Sequence, residues 1–160
     1  MSKNLVAYFS ASGSTAKLAK ALASAAEAEL YEIRPAVPYE RRDLNWMDKK
    51  ARSTVEMQDP NCRPALADMA APVADADVIF LGFPIWWYRE PSIIDSFLDA
   101  YDFSGKTIVP FFTSGGSELG EGQGRIKALA KGAKVLSGKR FSAHASEREL
   151  KTWIESLQLA

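Results

Sequence analysis

Three apolar runs that do not alternate, each closed by turn residues and followed by apolar positions at helical spacing, predict an α/β protein. Its sheet should be parallel, with helices on both faces. The runs are Leu5-Val6-Ala7-Tyr8-Phe9, Val78-Ile79-Phe80-Leu81 and Ile108-Val109-Pro110-Phe111-Phe112. A strand with one solvated face would alternate apolar and polar residues, so runs of this kind belong in the middle of a covered sheet. At 160 residues, 47% of them hydrophobic and 25% charged, the chain suits one domain over residues 1–160 with a sizeable core.

The first run is expected to be a central strand, followed by a helix whose buried face carries Leu18, Ala19, Leu22, Ala23 and Ala26. Leu30-Tyr31-Glu32-Ile33 alternates as an edge strand does, and Pro35 ends it. The excursion from Pro35 to Pro64 is longer than most connections, and a short helix is expected within it from about Leu44 to Met57. Long connections often serve binding sites, so Tyr39 or Trp46 could act as a lid; alternatively Trp46 pins the insertion to the body. After the Val78 run, Pro91 opens a helix with Ile93, Ile94, Phe97, Leu98 and Tyr101 on one face. The third run is accepted as central although Pro110 lacks a donor. A short helix over Arg125–Lys131 buries Ile126, Leu129 and Ala130 and stops at Gly132. A weaker strand is expected over Lys134–Leu136, with Phe141 continuing it. Ser146 and Glu149 form a capping-box signature before Leu150, Trp153, Ile154 and Leu157, which makes Trp153 a core anchor.

Twenty basic and twenty acidic residues cancel, and the basic ones are dispersed, so neither nucleic acid nor an anionic membrane is expected as a partner. No apolar run is long enough to cross a bilayer and none resembles a signal segment, which leads to a cytoplasmic expectation. Cys62 is the sole cysteine, which fits a reducing compartment, and reads as an incidental thiol; His144 reads as a surface residue. These two make no recognisable metal-ligand set.

Ser10-Ala11-Ser12-Gly13-Ser14-Thr15 joins the first strand to the first helix. A loop in that place aims unpaired N–H groups and the positive end of the helix dipole at an anion, and its hydroxyls add donors. No lysine stands where a nucleoside-triphosphate loop needs one, and the dinucleotide glycine pattern is missing too. Hydroxyls and amides without fixed positive charge suit the phosphate monoester of a mononucleotide; a turn that only caps the helix is the plainer alternative. After the second run, Pro84-Ile85-Trp86-Trp87-Tyr88 sets three large rings on a loop framed by prolines, which is either a stacking surface for a flat ligand or a hydrophobic contact with another protein. After the third run, Thr113-Ser114-Gly115-Gly116 lets the backbone approach a ligand closely, unless it is an ordinary glycine turn. All three loops fall at the carboxyl ends of predicted core strands, where open parallel sheets bind ligands. Together they describe a ligand with an anionic end and a flat aromatic end.

On these residues the chain resembles the flavodoxin-like superfamily, which binds flavin mononucleotide (FMN), and especially its small members with a Trp-Trp second loop. Ser10, Ser12, Gly13 and Thr15 resemble the family's phosphate loop, with Ser12 replacing the more common threonine. Pro84 to Trp87 resemble the second flavin loop, and Thr113 to Gly116, extended to Leu119-Gly120, resemble the third. Tyr88-Arg89-Glu90 departs from it, since relatives usually carry Gly-Thr before the proline. The resemblance implies a flavodoxin-like three-layer sandwich, a five-stranded parallel sheet in the order 2-1-3-4-5, and FMN as cofactor. It implies cofactor contacts from Ser10, Ala11, Ser12, Gly13, Ser14, Thr15, Pro84, Ile85, Trp86, Trp87, Tyr88, Thr113, Ser114, Gly115 and Gly116, with no catalytic side chain and no metal.

The flavin would then carry the chemistry and the protein would tune it. An oxidoreductase acting on a small acceptor such as a quinone, with a reduced nicotinamide as donor, is expected. A flavodoxin-type carrier serving protein partners is the alternative, and a strongly acidic steering surface, absent here, would favour it. A ligand-binding module without redox turnover is the third reading. Pairing of two copies through their aromatic surfaces is left open.

Overall fold

Strand β1 (Asn4–Tyr8) lies between β2 (Glu29–Glu32) and β3 (Val78–Pro84) in a computed structural model that describes residues 3–114 and 119–159. β4 (Thr107–Thr113) follows β3, and two short strands, β5 (Lys134–Val135) and β6 (Lys139–Arg140), pair with its other side. Every pairing is parallel, and the sheet order is 2-1-3-4-5, as the sequence resemblance implies. β3 and β4 each run further toward their carboxyl ends than the apolar runs suggest, and β2 starts one residue earlier.

Alternate residues of the central strands serve the two faces. Val6, Tyr8, Phe80, Val109 and Phe111 pack with helices α1 (Ser14–Ala26) and α5 (Glu147–Ser156), where Leu18, Leu22, Leu150 and Trp153 are buried. Trp153 meets Phe141 and Phe80 with ring centroids 4.9 and 6.0 Å apart, which makes it the core anchor expected of it. Leu5, Ala7, Ile79, Leu81, Phe83 and Phe112 face the opposite way, toward Ile93, Ile94, Phe97 and Ile126 of α3 (Ser92–Ala100) and α4 (Gly122–Leu129). The remaining helix, α2 (Arg52–Gln58), belongs to the excursion. No described helix is long and apolar enough to cross a membrane.

Three further elements differ from expectation. The helix expected over Leu44–Met57 is a 3-10 turn, Arg41–Leu44, followed by α2. Between them the side chains of Asn45 and Asp48 accept from the amides of Met47 and Lys50 at 3.2 and 2.9 Å, which diverts the backbone from a helical ladder. The helix expected over Arg125–Lys131 begins three residues sooner, at Gly122, because glycines masked its first turn from a propensity reading. It also ends two residues sooner, at Leu129 with Ala130 as its cap, and Gly132, at φ 81 in the left-handed region, belongs to the turn that follows.

The third difference is the split of the outer strand, and its cause is Pro110. The β4–β5 register carries bonds from Lys134 N to Lys106 O and from Leu136 N to Ile108 O, so the next donor due on β4 is the nitrogen of Pro110, which has no hydrogen. The Leu136 carbonyl accepts instead from Gln123 Nε2 at 2.9 Å, and Gln123 Oε1 accepts from Gly138 N at 2.9 Å. One carboxamide thus fills the gap between β5 and β6, and Phe141 N rejoins the ladder at Phe112 O. Gln123→Leu should cost about 1–3 kcal/mol, measured by urea unfolding, because two half-buried backbone groups lose their partner. A loss within error would show that water replaces the carboxamide without penalty.

Candidate functional site

The loops after β1, β3 and β4 lie along one edge of the sheet and are tied to one another. Phe9 N donates to Gly82 O at 2.9 Å, and Ile85 N donates to Thr113 O at 3.0 Å. Thr15 and Thr113, both buried, share a hydrogen bond of 2.9 Å between their hydroxyls. This last contact joins the first and third loops across 98 residues of sequence.

In the first loop Gly13 is the residue before α1 and has φ 98, a left-handed conformation that other residues adopt only with strain. A Cβ there would meet nothing within 4 Å, so the glycine is required for backbone shape and faces open space. No side chain caps α1, and its first turn holds no acidic residue, which leaves the end of the helix available to an anion. Gly13 N donates to Ser10 Oγ at 3.1 Å, which closes the loop on itself. Ser12, Gly13 and Ser14 are exposed, while Ser10 and Ala11 are half-buried. Thr15 differs from the other hydroxyls, since it points inward to Thr113.

The second loop turns back sharply. Trp86 N donates to Arg89 O at 3.0 Å and Arg89 N to Trp86 O at 3.2 Å, with Trp87 at φ 48 and Tyr88 at φ 65. Two consecutive positive φ values define a turn that normally selects Asn-Gly; with two aromatic residues it stores strain of about 1–3 kcal/mol per residue. Trp87 and Tyr88 are thereby held outward, 42% and 66% exposed. Trp86 turns inward and meets Phe9 and Tyr39 edge-on, at centroid distances of 5.7 and 5.5 Å. Of the third loop, Thr113 and Ser114 are described, whereas Gly115 and Gly116 lie outside the described residues. Gly120 returns against the second loop with φ 59, where a Cβ would stand 2.9 Å from Tyr88 O.

Tyr39, rather than Trp46, fastens the excursion to the second loop. Its ring contacts Trp86, its hydroxyl donates to Glu56 of α2, and the Arg52 guanidinium lies 3.9 Å from its ring centre. Burial and the Glu56 carboxylate push the Tyr39 phenol far above its ordinary range, so it stays protonated as a donor. Trp46 is 70% exposed.

A buried charge cluster beneath the second loop escaped sequence reasoning. Arg89, Glu90 and Asp95 are all buried. Arg89 donates to Met57 O at 3.1 Å and to Asp95 Oδ2 at 3.4 Å; Arg125 donates to Glu90 Oε2 at 3.1 Å and to Asp95 Oδ2 at 2.6 Å. Glu90 is pushed up to about 9, first by burial and then by its hydrogen bond to, and repulsion from, Asp95. Glu90 therefore keeps its proton at neutral pH. Glu90 Oε1 and Asp95 Oδ1, the oxygens that neither arginine reaches, are the ones it can serve. The only sequence signal was the presence of Arg89-Glu90 inside an apolar loop; Arg125 and Met57 give no hint in the sequence that they meet them.

Cys62 and His144 stay outside the site. Burial pushes the Cys62 thiol up, away from a reactive thiolate, and His144 is exposed with Nδ1 2.8 Å from Lys17 Nζ. Among the described residues no cluster of three or more His, Cys, Asp or Glu could hold a metal. The site thus offers an uncharged anion cradle, flat rings and backbone polar groups.

The sequence profile of the Flavodoxin family matches residues 3–157. A protein from Bacteroides eggerthii designated a flavoprotein shares 40% identity at a TM-score of 0.93, with 100% of each chain covered. One from Bacteroides uniformis with the same designation shares 44% identity at a TM-score of 0.90, covering 96% of this chain and 98% of its own. The flavoprotein of Lactobacillus acidophilus, solved in complex with FMN, shares the fold at a TM-score of 0.73 with 23% identity, over 96% of this chain and 99% of that one. Among curated proteins no match was found.

Proposed function

The chain belongs to the flavodoxin family, and from that premise we propose that it binds FMN at the joined loops and passes electrons through it to a small acceptor such as a quinone. The observation that carries this reading is the uncapped start of α1 at Gly13, linked through Thr15 and Thr113 to the loop of exposed rings. Bound FMN would supply the redox chemistry, accepting and releasing electrons at its ring. Ser10, Ser12, Ser14 and the amides after Ala11 and Gly13 donate to its phosphate. Thr15 holds the first loop against the third by its bond to Thr113. Pro84 and Ile85 present backbone to the ring edge, Trp86, Trp87 and Tyr88 cover it on the side of the second loop, and Thr113 and Ser114 approach it from the third. Absence of fixed positive charge in the cradle agrees with a monoester ligand rather than a pyrophosphate.

A small acceptor is favoured over a protein partner because the balance of 20 basic and 20 acidic residues provides no steering field. The excursion, tied to Trp86 by Tyr39, closes one side of the site as a shield for the acceptor. Visible absorption of the purified protein, with and without added FMN, tests cofactor binding. Ser12→Ala should weaken FMN affinity roughly tenfold to a hundredfold by fluorescence titration, as expected for one hydrogen bond to a charged group. Equal affinity would show that the phosphate lies elsewhere. Steady-state oxidation of a reduced nicotinamide with a quinone acceptor tests the activity.

A further inference from the structure

Trp87 and Tyr88 are exposed at φ 48 and 65, so the direction of both rings follows from the backbone of their turn rather than from burial of the rings. Asn-Gly would adopt that backbone unaided. With two aromatic residues it persists only where the surroundings over-determine it. The turn therefore needs a hold from outside itself.

Arg89 supplies one. Its backbone closes the turn against Trp86, and its side chain, 4% exposed, fixes that end of the turn from beneath. Nη1 donates to Glu90 O at 3.2 Å and to Asp95 Oδ2 of α3 at 3.4 Å, while Nη2 donates to Met57 O at 3.1 Å and to Ser92 Oγ at 3.5 Å. Met57 lies in the last turn of α2, whose carbonyls lack helical partners, and Ser92 Oγ donates to Glu56 O beside it at 3.3 Å. One planar fork thus joins the excursion, the second loop and α3. A buried guanidinium is costly, and an apolar side chain would fill the space without that cost. Neither an apolar chain nor an ammonium could donate in fixed directions to all three elements. Gly120 bounds the turn on another side, where a Cβ would stand 2.9 Å from Tyr88 O.

We propose that Arg89 is a positioning residue of the site: its buried fork holds the strained turn in the conformation that presents Trp87 and Tyr88 to a flat ligand. It acts through the turn, not by contact with the ligand. The ligand's identity rests on the FMN reading above, whereas the hold on the turn rests on contacts within the chain. Loss of the fork would let the turn relax, and every binding event would then first have to restore it.

Arg89→Lys keeps the charge and removes the fork. In this variant the FMN Kd should rise roughly tenfold to a hundredfold, as expected when about 1–10% of molecules hold the competent turn. Fluorescence of the bound flavin, quenched by the neighbouring rings in the native protein, should increase. A variant that is folded by far-UV circular dichroism and less stable to urea, yet binds FMN with native affinity and native quenching, would make Arg89 a structural anchor only and overturn the proposal. Tyr88→Gly gives a test that needs no cofactor. Glycine adopts φ 65 without strain, so Arg89→Lys should cost less stability in that background than in the native chain. Additive losses would overturn the hold on the turn. If Arg89→Lys alone does not fold, recovery of folding in the Tyr88→Gly background supports the proposal and continued failure overturns it. Native protein that binds no FMN overturns the cofactor reading instead, and the coupling between residues 88 and 89 then decides this inference.

Discussion

Glu90→Gln is expected to flatten the dependence of folding stability on pH between about 5 and 9. Glu90 holds its proton in the folded protein up to about 9, chiefly because it is buried and next because Asp95 accepts from it and repels its charge. The unfolded chain releases that proton near the ordinary glutamate value of about 4.3. Below that value both states are protonated and the stabilisation is fully present. Between the two values only the folded state binds the proton, so stability falls as pH rises through the window, and above the folded value it levels off. The maximal slope is about 1.4 kcal/mol per pH unit. Arg125 already holds the folded value lower than burial alone would set it, so what remains is a loss of stability as pH rises through this window. Glutamine keeps the shape, stays neutral and can still donate to Asp95, which mimics the protonated acid at every pH. Urea midpoints measured from mildly acidic to mildly alkaline pH would check this; parallel curves for the two proteins would show that Glu90 is not the proton holder.

Gly82→Ala should destabilise the fold by about 3 kcal/mol or more. Gly82 sits in β3 opposite Phe111 of β4, and the Phe111 ring lies across it. A Cβ at Gly82 would stand 2.2, 2.5 and 2.8 Å from three atoms of that ring. Phe111 cannot swing away, because it is fully buried among side chains of α1 and α5. Neither backbone can yield either, since β3 and β4 are central strands bonded on both sides. Phe111→Leu, destabilising alone, should cost less in the Gly82→Ala background, which a double-mutant cycle would measure. Additive losses would mean that the alanine methyl meets something other than the ring.

Much of this architecture was legible from local patterns. Unalternating runs identified β1, β3 and β4 because burial on both faces removes any reason for polar residues between apolar ones. The phosphate-loop reading of Ser10 to Thr15 depended on residue types at adjacent positions, which the chain itself displays. Ser146 was recognisable as a cap for the same reason: its partner, Glu149 N, is three residues away. Where the structure departed from expectation, the missing information was a partner distant in sequence. Pro110 looked like a defect in a central strand until Gln123 was seen to complete the ladder beside it. Thr15 showed nothing in the sequence of its bond to Thr113, 98 residues away.

What the amino-acid order alone determined is the class of fold and a ligand with a phosphate and a flat ring. Those follow from spacings of a few residues, set by the periods of helix and strand. Tertiary structure alone decided that Tyr39 packs on Trp86 of the second loop, and that Arg89, Glu90, Asp95 and Arg125 form one charge cluster in which Glu90 keeps its proton. The reason is that burial and charge pairing depend on distances through space between segments far apart in the chain, and a serine or glutamate acquires its chemistry only from the neighbours that folding brings to it.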